Sequence, residues 1–174
     1  PQDRDTLWVL GMIGTIRSMQ GRPGEAEAHY RESLAGHRRV LGDEHGETLA
    51  RLRILGSLLQ ANGRPAEAEA CFREILDARR RKSQDDDLNM PETLHRLGHV
   101  IMLQNRLDEA APILAEALEQ SRRLRGNEDR DTMSIIAVTI SLRIRQGRLA
   151  EAEPLARESM DLRRRTGGDD HPQT

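Results

Sequence analysis

The sequence is poor in the residues that build disulfide frameworks, aromatic stacking surfaces and membrane spans. Its 174 residues include one cysteine, Cys71, and one each of Trp, Tyr and Phe. A single cysteine excludes an internal disulfide and favours a reducing, cytoplasmic location. Three aromatic rings are too few for the stacking surfaces that bind single-stranded nucleic acid. No apolar run approaches the roughly 18 residues of a membrane-spanning helix, and no secretory signal is visible.

Charge of one sign is also missing. The 27 basic residues nearly balance the 29 acidic ones, and the net charge is -2. A general binder of nucleic acid or of membrane surfaces normally has one basic face, so we expect neither partner. Lys82 is the only lysine among the basic residues. This preference for arginine is typical of GC-rich genomes and suggests a bacterial origin.

The sequence does contain an internal repeat with a period of forty-two residues. Gly-Arg followed by Glu-Ala-Glu occurs at 21–27, 63–69 and 147–153, and the altered copy at 105–111 begins with Asn-Arg. Such a fixed period indicates one supersecondary unit that is repeated and stacked, because a single unit cannot bury its own apolar face.

The second copy shows what the unit contains. Leucines at helical spacing follow Glu47-Thr48, which we expect to cap a helix, and Asn62-Gly63 can end it in the left-handed conformation. Arg64-Pro65 then opens a second helix, where proline is tolerated in the first turn. The same pattern predicts further helix pairs near 4–20 and 23–40, near 92–104 and 107–125, and near 130–146 and 149–166. Thr93 lies three residues after the position that the forty-two-residue period predicts for this threonine. The third pair should therefore begin with a helix that is one turn shorter.

These helices predict one all-α domain over residues 1–174. Its repeats cover approximately 4–42, 46–83, 91–126 and 130–167. Thr174 lies forty-two residues after Thr132, so we expect residues 168–174 to open a truncated fifth repeat of a longer protein.

Small and large residues recur at matching places in the two helices of a repeat. The first helix has Ile13-Gly14, Leu55-Gly56 and Leu97-Gly98, and the second has an alanine followed four residues later by Tyr30, Phe72 or Leu114. This pattern resembles the tetratricopeptide repeat, and the long period with Gly-Arg-x-x-Glu-Ala-Glu turns is similar to its kinesin-light-chain variety. The resemblance implies a right-handed α-α superhelix of eight helices.

The fourth repeat departs from this pattern. Ile140 replaces the small residue, and Ala156 replaces the large one. The exchange roughly conserves volume, so we expect Ala156→Phe to overpack the repeat and to destabilise it by about 1–3 kcal/mol.

The resemblance also implies a function, which is protein or peptide binding in a concave groove lined by the first helices. The groove positions are Trp8, Gly11, Met12, Thr15, Arg53, Ile54, Ser57, Gln60, His95, Arg96, His99, Met102, Ala137, Val138, Ser141 and Arg145. Kinesin-light-chain-like members often have an asparagine pair here that holds a peptide backbone. Gly11-Met12 and its equivalents replace that pair, so the type of ligand cannot be transferred.

The predicted groove has a basic character that favours an acidic ligand. Arg53, Arg96 and Arg145, with His95 and His99, would place positive charge along it, and guanidinium groups suit carboxylates. The alternative is that these arginines are solvated and offset by neighbouring acids. Two interpretations of Trp8 are open as well. It could anchor a peptide, or it could cover apolar surface that is exposed because a preceding repeat is missing.

No catalytic, metal or cofactor site emerges from the sequence. His95 and His99 have the spacing of two metal ligands, but two ligands do not make a site, and Cys71 is expected to be a core thiol. We therefore predict no enzyme activity and no cofactor. Two other functions stay open: a structural spacer or self-association segment with exposed end repeats, and the regulatory arm of a larger signalling enzyme.

Overall fold

The computed structural model describes residues 4–82 and 87–167, and these residues form eight α-helices and no strand. The prediction of an all-α protein with eight helices is confirmed. The segment 168–174, where a fifth repeat was expected to begin, lies outside the described residues. The helices are α1 (Arg4–Met19), α2 (Pro23–Leu41), α3 (Gly46–Ala61), α4 (Pro65–Lys82), α5 (Met90–Leu103), α6 (Leu107–Arg125), α7 (Arg130–Arg145) and α8 (Leu149–Gly167).

The chain divides into two compact units, Pro1–Gln84 and Asp85–Thr174. In the N-terminal unit α1 packs on α2, α3 packs on α4, and α2 contacts α3. In the C-terminal unit α5 packs on α6, α7 packs on α8, and α6 contacts α7. Each unit is therefore a stack of two helix pairs, joined through the second helix of one pair and the first helix of the next.

The turn inside each helix pair has one residue in the left-handed conformation. Gly21, Gly63 and Gly147 have φ angles of 72°, 73° and 73°, and Asn105 has a φ of 62° in the altered copy. Asparagine is among the few non-glycine residues that tolerate this conformation. The predicted helix ends are confirmed, and Asn105 replaces glycine without changing the turn.

Two predicted helix starts differ from the structure. The cap of α3 is His45, whose Nδ1 accepts a hydrogen bond from the Glu47 amide, while the Thr48 hydroxyl donates to the Gly42 carbonyl. The helix α5 begins at Met90 and has 14 residues, two fewer than α3 and α7. It is shortened by about half a turn rather than a full turn, because its first turn starts directly after Asn89 and accommodates a proline.

The small-to-large pairs lie face to face in three helix pairs. A Cβ atom on Gly14 would lie 2.6 Å from Tyr30 Cε1, one on Gly56 would lie 3.1 Å from Phe72 Cζ, and one on Gly98 would lie 2.6 Å from Leu114 Cγ. The three large side chains are almost completely buried. The two helices of each pair can therefore approach closely only because glycine has no side chain at this position.

The fourth helix pair is less tightly filled than the sequence predicted. Ile140 and Ala156 line the same open pocket of about 460 Å³ at the end of the C-terminal unit, and Ala156 is exposed. The two positions do face each other, but the space beside Ala156 is open. This open space argues against the expectation that Ala156→Phe overpacks the repeat.

Candidate protein-interaction surface

In the N-terminal unit the predicted groove residues lie on α1 and α3. Trp8 and Met12 are 54% and 42% exposed on α1 and offer apolar surface to a partner. Thr15 is held from inside the repeat, since it accepts a hydrogen bond from the Tyr30 hydroxyl and donates one to the Gly11 carbonyl, each 3.1 Å long. The α1 part of this wall is therefore largely apolar.

The α3 part of the same wall is polar. Arg53, Ser57 and Gln60 are half-buried, and the Ser57 hydroxyl donates to the Arg53 carbonyl at 3.0 Å. Ile54 lies between them and is half-buried as well. One face of α3 thus combines a guanidinium, an amide and an apolar side chain.

In the C-terminal unit, α5 brings two imidazole rings together. The rings of His95 and His99 are stacked, with centroids 6.4 Å apart and an angle of 14° between their planes. Burial, then the neighbouring His99 and Arg96, lower the pKa of His95 to about 4. Burial and Arg96 also lower the pKa of His99. Both rings are consequently neutral near pH 7, and the expectation that they add positive charge to the wall is wrong.

The His95 ring has a free hydrogen-bonding atom. Its Nε2 is buried and has no hydrogen-bond partner among the described residues. A buried polar atom without a partner is unusual in a folded protein, because its desolvation is not offset by a hydrogen bond.

The arginines of the C-terminal unit have different partners. Arg96 donates to the Glu92 carboxylate at 2.9 Å, so its charge is offset on the same helix. Arg145 is exposed on α7 and donates to two neutral oxygens, the Met102 carbonyl at 2.9 Å and the Asn105 side chain at 3.1 Å. No carboxylate of the described residues forms an ion pair with Arg145. Its side chain is fixed in place while its charge stays uncompensated.

Other predicted groove positions lie elsewhere. Gly11 is buried, and a Cβ atom there would lie 2.9 Å from Arg51 Nη1. Met102 is only 4% exposed, and Ala137 lines the pocket at the end of the unit. Ser141 is exposed on α7, as a groove residue should be.

The structure gives no support for thiol or metal chemistry in the described residues. Cys71 is buried against Gly56, and burial raises the pKa of its thiol to about 11, so it is protonated at neutral pH. The described part of the chain contains no group of three His, Cys, Asp or Glu side chains that could hold a metal ion. None of its helices is both long enough and apolar enough to span a bilayer.

The ion pairs that join successive repeats were not predicted from the sequence. Arg38 of α2 pairs with Glu74 of α4, and Arg122 of α6 pairs with Glu158 of α8 through both carboxylate oxygens, at 2.8 and 2.7 Å. Each pair spans thirty-six residues, and its two members recur on the forty-two-residue grid. The recurrence of an arginine and a glutamate at these fixed positions was the signal in the sequence from which the ion pairs could have been predicted.

The N-terminal unit also contains a four-residue ion cluster, which comprises Glu27, Arg31, Arg64 and Glu67. Arg31 contacts both carboxylates, and so does Arg64. Burial opposes ionisation of Glu27, but the hydrogen bonds from Arg64 and Arg31 outweigh it and lower its pKa. The hydrogen bond from Arg64 likewise lowers the pKa of Glu67. The cluster therefore stays charged at neutral pH.

Comparison with known protein families gives matches to this architecture. Two family models, both described as tetratricopeptide repeat, match residues 3–81 and 144–173. No curated protein sequence matches significantly.

Several solved structures are similar in fold. BtubC (BKLC) from P. vanneervenii is 17% identical with a TM-score of 0.85, and the match covers 99% of this chain and 68% of that one. A Podosopora anserina protein described as a kinesin light chain with nearly identical TPR-like repeats is 17% identical with a TM-score of 0.80, covering 97% and 80%. A single-residue variant of that protein gives a TM-score of 0.82 at 17% identity, covering 95% and 78%.

These likenesses share one fold, the α-α solenoid of helix pairs that the sequence pattern predicted, and the two family models cover more than half of the chain. The chain belongs to the tetratricopeptide repeat family, with repeats similar to those of kinesin light chains.

Proposed function

We propose that this chain binds a peptide or protein segment along the walls formed by the first helices of its repeats. Tetratricopeptide repeats generally mediate protein–protein interactions, and their fold is a typical non-catalytic scaffold. The exposed groups on α1 and α7 and the half-buried groups on α3 and α5 support this surface, because together they offer apolar and polar contacts. The binding is reversible and needs no cofactor.

We further propose that the ligand segment is acidic, at least where it contacts the C-terminal unit. The observation that supports this most strongly is Arg145, which is exposed, held by two neutral oxygens and not offset by a carboxylate of the described residues. A guanidinium fixed in this way loses little conformational freedom when a carboxylate binds to its remaining N–H groups. Its contact with a carbonyl at the end of α5 also places it where a helix terminus favours a cation.

The neutral histidines would then contribute hydrogen bonds rather than charge. His95 Nε2 is buried, so it can accept from, or donate to, a ligand main chain only when the ring turns outward from its place on α5. In this proposal α7 selects for acidic side chains and α5 binds polar groups beside them.

A peptide titration tests the proposal. A fluorescent peptide of alternating Glu and Ser is compared by anisotropy with its Gln–Ser counterpart, because the two differ only in charge. We expect preferential binding of the Glu–Ser peptide, weakening with added salt and weakening about tenfold in Arg145→Ala. Arg130→Ala, an exposed arginine at the other end of α7, is the matched control. Arg53→Ala tests the N-terminal wall in the same way.

Two results would count against the proposal. One is equal binding of the two peptides at every salt concentration. The other is an equal loss of affinity in Arg145→Ala and Arg130→Ala, because that would reduce the effect to net charge.

Several finer points stay proposals. We retain the division of residues 1–174 into four repeats and a cytoplasmic location. A regulatory arm of a larger enzyme is retained as an alternative context for this module. A structural spacer or self-association segment is retained as a second alternative.

A further inference from the structure

An arginine that is not among the groove positions predicted from the sequence lies between α1 and α3 of the N-terminal unit. Arg51 is half-buried on α3, and Gly11 is buried on α1. A Cβ atom on Gly11 would lie 2.9 Å from Arg51 Nη1 and 3.6 Å from Arg51 Cζ. The guanidinium group therefore occupies the space that the glycine leaves open beside the α1 backbone.

This guanidinium has no partner in the part of the chain that the structure describes. It forms neither a hydrogen bond nor an ion pair there, and its Nε is buried. Nε is the one nitrogen of Arg51 that is fully enclosed, so Nη1 and Nη2 reach solvent. The four N–H groups on these two nitrogens are therefore available to a ligand.

Two polar side chains near Arg51 have other partners. The Ser33 hydroxyl, which would lie 3.6 Å from the same Cβ atom on Gly11, donates to a main-chain carbonyl of α1 at 2.8 Å. Glu47 lies one turn before Arg51 on α3, but its carboxylate is 3.8 Å from His37 Nε2. Neither side chain forms an ion pair or a hydrogen bond with Arg51, so its charge is not offset from this side.

The fold does not need an arginine at this place. On the forty-two-residue grid, position 51 corresponds to Thr93 in α5 and Ile135 in α7. These two side chains are 4% and 1% exposed, so a small or apolar residue is sufficient where a first helix packs in the repeat. A half-buried charge without a partner costs stability, and its presence at position 51 therefore favours a role in binding.

We propose that the Arg51 guanidinium, lying against Gly11, binds a carboxylate group of the ligand segment. This inference rests on the proposed function, because the segment would lie along α1, where Trp8 and Met12 are exposed on either side of Gly11. A guanidinium donates two parallel hydrogen bonds to one carboxylate. Because packing already orders the stem of the side chain, little conformational freedom is lost on binding. The N-terminal unit thus has a carboxylate site of its own, separate from Arg145.

The side-chain Nε–H signal of Arg51 reports carboxylate binding directly. It is recorded in nitrogen–proton correlation spectra of the full chain and assigned by its loss in Arg51→Ile. Sodium acetate and the Glu–Ser peptide are added in separate titrations, with sodium chloride and the Gln–Ser peptide as controls. We expect saturable shifts of the Arg51 signal with acetate and, at lower concentration, with the Glu–Ser peptide. Neither control should give a saturable shift.

Two variants test the geometry of the site. Arg51→Ile should weaken binding of the Glu–Ser peptide about tenfold. Gly11→Ala keeps the charge, but its Cβ atom displaces Nη1, so it should weaken binding as well. Arg39→Ala is the matched control for net charge, because Arg39 is exposed on α2, and it should bind the peptide as wild type does.

Unfolding without ligand separates a binding role from a structural one. Since isoleucine is buried at the equivalent place in α7, Arg51→Ile should unfold at an equal or higher urea concentration than wild type. Clear destabilisation of this variant would show that Arg51 serves the fold and would overturn the proposal.

The titrations distinguish this proposal from the proposed function. Peptide binding that shifts signals of α5 and α7 but leaves Arg51 unchanged overturns the Arg51 site and leaves the proposed function intact. A response to acetate without a response to the peptide assigns the site to a small carboxylate, and the ligand segment is then the wrong source. An Arg51 signal that responds to neither, or equal loss of affinity in Arg51→Ile and Arg39→Ala, also overturns the proposal.

Discussion

Gly98 of α5 lies directly against Leu114 of α6, so closely that a Cβ atom on the glycine would fall 2.6 Å from Leu114 Cγ. Leu114 is completely buried and cannot retreat without disturbing its neighbours. We therefore expect Gly98→Ala to destabilise the chain by about 1–3 kcal/mol through overpacking, despite the better helix propensity of alanine. Urea unfolding followed by circular dichroism measures the change.

Gly24→Ala is the matched control for this substitution. Gly24 lies in the first turn of α2, where an added Cβ atom would meet no atom within 4 Å. Alanine should be neutral or slightly stabilising there, because it lowers the entropy of the unfolded chain. If the two alanine variants unfold at the same urea concentration, the close contact between α5 and α6 is not what limits the residue at position 98.

Ala156 should accept a large side chain, in contrast to Gly98. Its side chain is exposed beside a pocket of about 460 Å³, so the phenyl ring of Ala156→Phe has room to cover Ile140. We expect the free energy of unfolding to stay within about 0.5 kcal/mol of wild type or to rise. Thermal unfolding would contradict this if the variant lost more than about 1 kcal/mol, the range expected for overpacking.

Asn105 has a left-handed conformation that alanine adopts only at a cost. Its φ angle of 62° matches those of the three glycines at the equivalent turns. Asn105→Ala should destabilise the C-terminal unit by about 1 kcal/mol, and Asn105→Gly should be better tolerated. The order of the two melting temperatures checks this, and Arg145 must be monitored because it donates a hydrogen bond to the Asn105 side chain.

Acid should destabilise the fold in two stages. The folded-state pKa of His95 is lowered to about 4, so its stabilising contribution is complete above the ordinary histidine pKa of about 6.5. As the pH falls from there towards 4 the unfolded state binds a proton first, and the free energy of unfolding falls. Below about pH 4.5 the lowered pKa values of Glu27 and Glu67 add a second loss.

Histidine variants separate these stages. His95→Gln should reduce the slope of stability against pH in the upper window and leave the lower one unchanged. The control is His29→Gln on α2. The interpretation fails if urea midpoints of wild type and His95→Gln decline in parallel between pH 6.5 and 4.

The helices and turns of this chain could be predicted because local physics and the repeat agree. Helical spacing of leucines, glycine or asparagine at the turn and a proline after Arg64 all indicate the same helix pair. The contact between Gly98 and Leu114 was likewise predictable, since four registered copies show which positions change together.

The parts that could not be predicted depend on distances between helices. The sequence shows His95 and Arg96 but not the burial that keeps the imidazole neutral. It shows Arg145 but not the two neutral oxygens that hold it. The exposure of Ala156 was missed because an exchange of large and small residues conserves volume only where both sides are enclosed.

The central claim, that ligands bind to the first helices of the repeats, is tested most directly by amide chemical shifts in the C-terminal unit. The Glu–Ser peptide is added to isotopically labelled protein, and the shifts of α5 and α7 are compared with those of α6 and α8. We predict saturable changes around His95, His99 and Arg145 on the first helices and little change along the second helices. Saturable changes confined to α6 and α8, or none at any peptide concentration, would contradict the account.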